Sequence, residues 1–255
     1  MDSKKVVLEV DGLNIIGETY SPSDRKIHPA LCLCHGIPNG TPPDPADGGY
    51  ALLARQFCDE GFITMIFNFR GAGLSEGNFD ILGWVRDLEA SLKYLYGFEG
   101  VDKSRISVMG FSGGSMVSIY VAARDKRVSS LVSCCCPTRL ALLKDKNSLE
   151  AFIKRQQEIT ISGDKYPVIT PEELAQGFEK TNPLKSVNKI SPRPLLIIQG
   201  DSDQLVLMDQ AEELYGEAGE PKEMAVIKGA GHQLRRNEDA MKAAFTWLKN
   251  VNGLS

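Results

Sequence analysis

Residues 110–114 read Gly-Phe-Ser-Gly-Gly, which fits the pattern G-x-S-x-G. The apolar run Ile106–Gly110 comes before the serine, and the residues Ser115–Ala123 after it are compatible with a helix. This order predicts a strand, a sharp turn and a helix, with Ser112 at the turn. Such a turn crowds the positions two before and two after the serine, where the two glycines of the pattern have no side chain to clash. We therefore expect the Ser112 hydroxyl to project from the carboxyl edge of a sheet.

Two further polar segments come directly after predicted strands. Gly200-Asp-Ser-Asp203-Gln-Leu-Val206 follows one apolar run, and Gly229-Ala-Gly-His232 follows another. Because ligands and catalytic groups of open α/β sheets gather at the carboxyl ends of the strands, we expect both segments to lie near Ser112. His232 is the only histidine after the last predicted strand, whereas two aspartates of the first segment, Asp201 and Asp203, compete as its acidic partner.

The chain order serine, aspartate, histidine is the order of the triads in α/β hydrolases. The sequence resembles this superfamily from about residue 28 to its end. The tract Phe67-Asn-Phe-Arg-Gly-Ala-Gly-Leu-Ser-Glu-Gly resembles the loop after the fourth strand in small carboxylesterases, cinnamoyl esterases and serine aminopeptidase-like hydrolases. The resemblance implies an α/β-hydrolase fold: a mostly parallel central sheet of about eight strands, with helices on both faces and a small helical lid.

The resemblance also implies a catalytic triad. The family pattern G-x-x-D-x-x-V selects Asp203 as the acid, with Gly200 and Val206 in register, and leaves Asp201 to cap the turn. In this arrangement Ser112 is the nucleophile, and His232 takes its proton because a serine hydroxyl is a poor nucleophile by itself. Asp203 would hold the imidazole in the required tautomer.

The implied oxyanion hole has two backbone donors. His35-Gly36 lies in the position of the superfamily's His-Gly oxyanion segment, directly after a predicted strand. The N–H groups of Gly113 and Ile37 are the expected donors. Pro38 has no N–H, which favours Ile37 as the donor of this segment.

Composition restricts the classes of protein and partner. A chain of 255 residues with 42% hydrophobic residues predicts a single domain, 1–255, with a sizeable core. The net charge of −4 disfavours nucleic acid as a partner, and no apolar run is long enough to predict a membrane span. The N-terminus lacks a signal-peptide pattern, so reduced cysteines and a cytoplasmic location are expected. The cysteines show no convincing zinc spacing, so we predict neither a metal nor a cofactor. A homodimer is a possible assembly that the sequence does not decide.

Two insertions are expected to set specificity. The first is the proline-rich loop Pro38–Gly49, and the second is the stretch 137–190, which is too long for an ordinary connection. Thr170-Pro-Glu-Glu173 predicts a helix start with a capping box. We predict a lid over 137–190 in which Phe152 and Phe178 either line an acyl or aryl pocket or anchor the lid to the core.

The expected function is that of a serine hydrolase. The most favoured substrate is a small or medium acyl ester, cleaved by a carboxylesterase through an acyl-enzyme. A serine aminopeptidase-like peptidase would use the same triad on a short amide. A small-molecule-binding protein with a hydrolase fold and no turnover is the alternative outside enzymes. A serine-reactive fluorophosphonate separates the enzymes from this binding protein.

Overall fold

The computed structural model describes residues 1–24, 26–41, 44, 47–161 and 165–254. Its strands are β1 (Asp2–Val10), β2 (Leu13–Ser21), β3 (His28–Cys34), β4 (Ile63–Phe67), β5 (Val101–Phe111), β6 (Val128–Cys134), β7 (Leu195–Gly200) and β8 (Lys222–Ile227). Its α-helices are α1 (Gly49–Asp59), α2 (Ile81–Gly97), α3 (Gly113–Ala122), α4 (Lys146–Ile159), α5 (Pro171–Lys180), α6 (Met208–Glu217) and α7 (Glu238–Val251). None of the helices in these ranges is both long and apolar enough to cross a bilayer.

The strands form one sheet in the order β1-β2-β4-β3-β5-β6-β7-β8. β1 pairs with β2, and β2 with β4, in antiparallel orientation, and the remaining pairs are parallel. Asp11 and Gly12 join β1 to β2 with positive φ angles of 55° and 75°, as a two-residue type I′ turn requires. The carboxyl ends of β3 to β8 meet at one edge, so the loops after these strands share a surface. The predicted α/β-hydrolase fold is confirmed.

Helices cover both faces of the sheet. α2, α3 and α6 contribute to the apolar core on one face, and α1 and α7 contribute to the core on the other. One face of α2 is fully buried, at Trp84, Leu88, Leu92 and Leu95. All ten residues of α3 are buried, because the helix lies at the centre of its layer. The turn at Ser112 therefore stands on a helix that is packed on every side.

A buried ion pair fixes the loop after β4. The Arg70 guanidinium donates to the Asp87 carboxylate on α2, with an Nη2–Oδ1 distance of 2.7 Å, and the Asp87 side chain has no exposed surface. The Arg70 N–H also donates to Asp87 Oδ2 at 2.9 Å, and Arg70 Nη1 reaches Asp11 at 2.9 Å. Removing one partner of such a pair costs about 3–5 kcal/mol, because a charge is left buried. These contacts hold the Phe67–Gly77 loop against α2 and the first hairpin.

The stretch 137–190 contains α4 and α5, which contact each other and the loops after β3 and β4. Gln156 Nε2 on α4 donates to Pro38 O at 3.0 Å, and Asn78 Nδ2 donates to Tyr166 O at 2.7 Å. α5 begins after Thr170 with the predicted capping box. The stretch therefore lies beside the edge of the sheet that carries Ser112, and its action as a lid stays a prediction.

Candidate active site

Ser112 lies at a strained turn between β5 and α3. Its φ of 51° and ψ of −123° are rare for a residue with a side chain. A Cβ at Gly114 would lie 2.2 Å from the carbonyl oxygen of His35, and one at Gly110 would lie 2.6 Å from Ser118 Oγ. Both neighbours of the turn must therefore be glycine, as the sequence pattern predicts. The Ser112 N–H donates to Cys134 O at 2.9 Å, which ties the turn to the end of β6.

The structure brings the three residues of the predicted triad into one hydrogen-bonded chain. His232 Nε2 lies 3.0 Å from Ser112 Oγ, and His232 Nδ1 lies 2.8 Å from Asp203 Oδ2. An ionised carboxylate only accepts, so Nδ1–H donates to Asp203 and leaves Nε2 to accept the serine proton. The Asp203 side chain is fully buried, whereas that of His232 is 24% exposed. The chain therefore runs from a buried anion to a hydroxyl at the surface of a cavity.

The loop after β7 fixes the Asp203 carboxylate. Asp203 Oδ1 accepts the N–H groups of Leu205 at 2.9 Å and Val206 at 3.0 Å. Gln199 Nε2 donates to Oδ2 at 3.3 Å. These hydrogen bonds fix the orientation of the carboxylate, so its second oxygen stays directed at His232.

The second aspartate of this loop does something different. Asp201 Oδ1 accepts the Gly229 N–H at 2.6 Å and the Ser202 hydroxyl at 3.1 Å. Asp201 is exposed, and it joins the turn after β7 to the turn after β8. The structure thus brings Asp203, and not Asp201, to His232.

The backbones of Ile37 and Gly113 lie next to each other beside Ser112. A Cβ at Gly113 would be 3.6 Å from Ile37 N. Gly113 is the first residue of α3, so its N–H has no acceptor within the helix. Within the described part of the chain, neither N–H donates to a protein acceptor. Two free donors at the positive end of a helix can bind a negatively charged oxygen.

His35 fixes the loop that carries Ile37. Its Nε2 accepts the Phe69 N–H at 3.0 Å, so Nδ1 carries the proton and donates to Gly36 O at 2.7 Å. Burial lowers the pKa of His35, which keeps the ring neutral. The ring makes edge contacts with Phe69 and Trp84, at centroid distances of 5.1 and 5.4 Å. His35 thus orders this segment and does not point its donor at Ser112.

A cavity of about 490 Å³ opens above Ser112. Its lining includes side chains from the loop after β3, from α1, from the loop after β4 and from the loop after β8, among them Ile37, Tyr50, Asn68, Phe111 and Leu234. Its size suits a small or medium substrate. The Pro38–Gly49 loop contributes to this lining, as expected of the first insertion.

Phe152 and Phe178 lie away from this lining. Their rings pack around Phe79 at centroid distances of 5.1 and 6.2 Å, and Phe178 is 2% exposed. Of the two roles predicted for these aromatics, the contacts are those of an anchor to the core. Their substrate-binding role stays a prediction that mutation can test.

An ion pair that the sequence analysis missed joins the cavity's two sides. Arg235 donates from two nitrogens to the Asp47 carboxylate, one of them at 2.8 Å, and its guanidinium lies 5.0 Å from the Tyr50 ring centroid. The hydrogen bonds from Arg235 lower the pKa of Asp47 to about 2. Further out, Arg236 donates to Asp44 at 2.7 Å. The available signal in the sequence was the pair Arg235-Arg236, three and four residues after His232, together with the aspartates of the loop after β3.

Cys135, just after β6, is the third titratable group at the triad. Its Sγ lies 3.5 Å from the His232 carbonyl oxygen and borders the cavity. The possible ligand atoms of Cys135, Asp203 and His232 all lie within 4.8 Å of one another.

Known proteins match both the fold and the sequence. The uncharacterized peptidase YtmA of Bacillus subtilis is 27% identical over 203 residues, which cover 76% of this chain and 75% of that protein. The α/β hydrolase GrgF from Penicillium matches with a TM-score of 0.74 at 20% identity, over 99% of this chain and all of that one. The Pyrococcus furiosus esterase Pf2001 matches with a TM-score of 0.70 at 23% identity, over 98% and 92%.

A family model covers most of the chain. The model of the prolyl oligopeptidase family matches residues 51–254, a range that includes Ser112, Asp203 and His232. The matched range begins inside α1, so β1 to β3, the segment His35–Ile37 and the Pro38–Gly49 loop lie ahead of it. The chain, an α/β hydrolase by fold, therefore belongs to the prolyl oligopeptidase family.

Proposed function

We propose that the protein is a serine hydrolase with Ser112 as nucleophile, His232 as general base and Asp203 as the acid of the triad. The observation that carries the proposal is the chain of hydrogen bonds from Ser112 Oγ through His232 to Asp203, at 3.0 and 2.8 Å. The free N–H groups of Ile37 and Gly113 support it, because they lie where an oxyanion would form.

The steps follow from this arrangement. Ser112 Oγ attacks the carbonyl carbon of the substrate while its proton passes to His232 Nε2. The Ile37 and Gly113 N–H groups stabilise the oxyanion of the tetrahedral intermediate; one such donor is typically worth roughly 100- to 1,000-fold in kcat. His232 then protonates the leaving group, which departs and leaves an acyl-serine. Water, deprotonated by His232, releases the acid and restores Ser112.

We favour a carboxylesterase that acts on small or medium acyl esters. An aminopeptidase needs a carboxylate to bind the free ammonium group of its substrate. The carboxylates of the described lining other than the triad, Asp44 and Asp47, both pair with arginines, so neither is available for a free amine. The uncharged inner lining suits an acyl group.

A peptidase is the second candidate. The family that the chain belongs to and the name of the Bacillus relative favour it. The triad and oxyanion donors would serve an amide equally well, since fold and triad do not determine the leaving group. The difference must come from the cavity and is open to direct measurement.

Two assays test the proposal. A fluorophosphonate probe should label the wild type and Ser115→Ala, a matched serine of α3, but not Ser112→Ala. Labelling that survives in Ser112→Ala would refute the nucleophile, and a wild type that neither labels nor turns over would indicate the non-catalytic binding protein. A series of p-nitrophenyl esters beside aminoacyl p-nitroanilides then decides between esterase and peptidase, by whichever class has the higher kcat/KM.

A further inference from the structure

We propose that Cys135, Asp203 and His232 form an inhibitory site for a soft divalent cation such as Zn²⁺ or Cd²⁺. The cation would be an inhibitor and not a cofactor, and it would bind where the triad acts. The inhibition rests on the proposed function, whereas the binding of the cation does not.

The distances suit a single ion. One ligand atom from each of the three residues lies within 4.8 Å of the other two. Zinc binds sulfur at about 2.3 Å and nitrogen or oxygen at about 2.0–2.2 Å in tetrahedral geometry, so two ligands of one ion lie about 3.3–3.8 Å apart. Side-chain shifts of about 1 Å would therefore bring all three atoms onto one ion. Cys135 and His232 both border the cavity, which gives the ion a path from solvent.

The ligand types are those that zinc prefers. Thiolate, imidazole and carboxylate are its usual protein ligands, and a thiolate favours Zn²⁺ or Cd²⁺ over Mg²⁺ or Ca²⁺. With three protein ligands, the fourth position is left to water from the cavity. The carboxylate of Asp203 is already oriented by the Leu205 and Val206 N–H groups, so one ligand is held in place before the ion arrives.

Binding would disable the base through its tautomer. The thiol of Cys135 releases its proton to solvent as the S–metal bond forms. His232 binds the ion through Nδ1, the nitrogen that faces Asp203, and its proton moves to Nε2. Nε2–H can then only donate, so it cannot accept the proton of Ser112. Inhibition should therefore appear as a loss of kcat.

The neighbouring cysteine provides a matched control. Cys136 is also buried, but it belongs to the apolar core on the opposite face of the sheet from Cys135. Its Sγ lies 3.9 Å from Pro137 O. A cation that reacted with cysteines in general would respond to both positions, whereas the proposed site responds to Cys135 alone.

Direct binding is measured first, in the Ser112→Ala variant, because this measurement does not require turnover. Titration with Cd²⁺ under reducing conditions should produce the ultraviolet charge-transfer band of a Cd–thiolate bond, saturating at one ion per chain. The band should disappear when Cys135→Ser or Cys135→Ala is combined with Ser112→Ala, and it should remain when Cys136→Ser is combined with Ser112→Ala. Circular dichroism checks that each variant is folded. Absence of the band in the folded parent, or its persistence without Cys135, would overturn the site.

Inhibition is measured next, on hydrolysis of a p-nitrophenyl ester by the otherwise wild-type chain. Zn²⁺ should lower kcat, and EDTA should restore it. Each variant is compared with its own rate in the absence of zinc. Cys135→Ser should raise the half-inhibitory concentration by roughly tenfold or more, the scale on which changes near a metal alter its affinity, and Cys136→Ser should not. Equal sensitivity of the two variants would overturn the proposed inhibition, and a failure of esterase activity leaves the Cd²⁺ result to decide the site.

Discussion

Gly114→Ala should both destabilise the protein and slow it, because α3 approaches the loop after β3 too closely for a side chain. The added Cβ would lie 2.2 Å from His35 O and 2.7 Å from Cys34 O. Both are backbone atoms, so no side-chain rotation relieves the contact. To reach even 3.0 Å from the nearer oxygen, the two segments must separate by about 0.8 Å.

Two terms set the size of the effect. Overpacking of this kind typically costs about 1–3 kcal/mol, whereas replacing glycine by alanine in a helix gains up to about 1 kcal/mol. The free energy of unfolding should therefore fall, by about 2 kcal/mol at the upper end of these ranges. The same shift moves the Ile37 N–H away from Ser112, and a misplacement of about 1 Å can cost about 100-fold in rate. We expect kcat to fall by about that factor and KM to change little.

Gly216→Ala is the matched control, since its Cβ in α6 would have nothing within 4 Å. It should leave kcat unchanged and be neutral or stabilising by up to about 1 kcal/mol. Urea denaturation gives the stability of both variants, and p-nitrophenyl ester hydrolysis gives kcat and KM. Wild-type stability and kcat in Gly114→Ala would refute the reasoning, because the loop after β3 would then move away from the added methyl group without loss of stability or rate.

Three further predictions concern the triad, the lid and the cavity wall. Asp203→Asn should lower kcat by orders of magnitude because the imidazole loses its tautomer partner, and Asp201→Asn should lower it far less; equal losses in ester hydrolysis would refute the assignment. Phe152→Ala should destabilise the protein by roughly 1–3 kcal/mol in urea denaturation if it is an anchor, less than a fully buried Phe because the side chain is half-buried, and a changed acyl-length profile of kcat/KM at full stability would instead assign it to the pocket. Asp47→Asn should lower kcat/KM more than Arg235→Lys, because Asp47→Asn removes the negative charge of the pair whereas Arg235→Lys keeps its positive charge. Wild-type kcat/KM in both variants would show that the pair is dispensable.

Local patterns were enough to predict the sheet and the approach of Ser112, Asp203 and His232 at its edge. The glycines around Ser112 and the acid and histidine after the last two strands each depend on a turn of a few residues, and parallel strands bring such turns to one edge. The start of β5 was less visible. It begins at Val101, five residues before the apolar run, because the polar residues 102–105 lie at the exposed amino end of the strand.

Long-range contacts were beyond such patterns. The Asp47–Arg235 pair joins residues far apart in the chain, and neither residue lies in a periodic segment. Phe152 packs against Phe79 of the loop after β4, and no local pattern predicts that partner. Cys135 likewise gains its neighbours only when β6, β7 and β8 lie side by side. Partner choice is set by topology, which the local sequence does not encode.

The ion pair between Asp47 and Arg235 makes the width of the cavity and the placement of the base interdependent. Arg235 follows His232 by three residues, and Asp47 follows Ile37 by ten. A substrate that pushes the Pro38–Gly49 loop outward therefore pulls on the segment that holds the imidazole. Attempts to widen the cavity for larger substrates by changing that loop alone should lose turnover along with selectivity. Evolution of a new specificity here would have to change the loop and the arginine together.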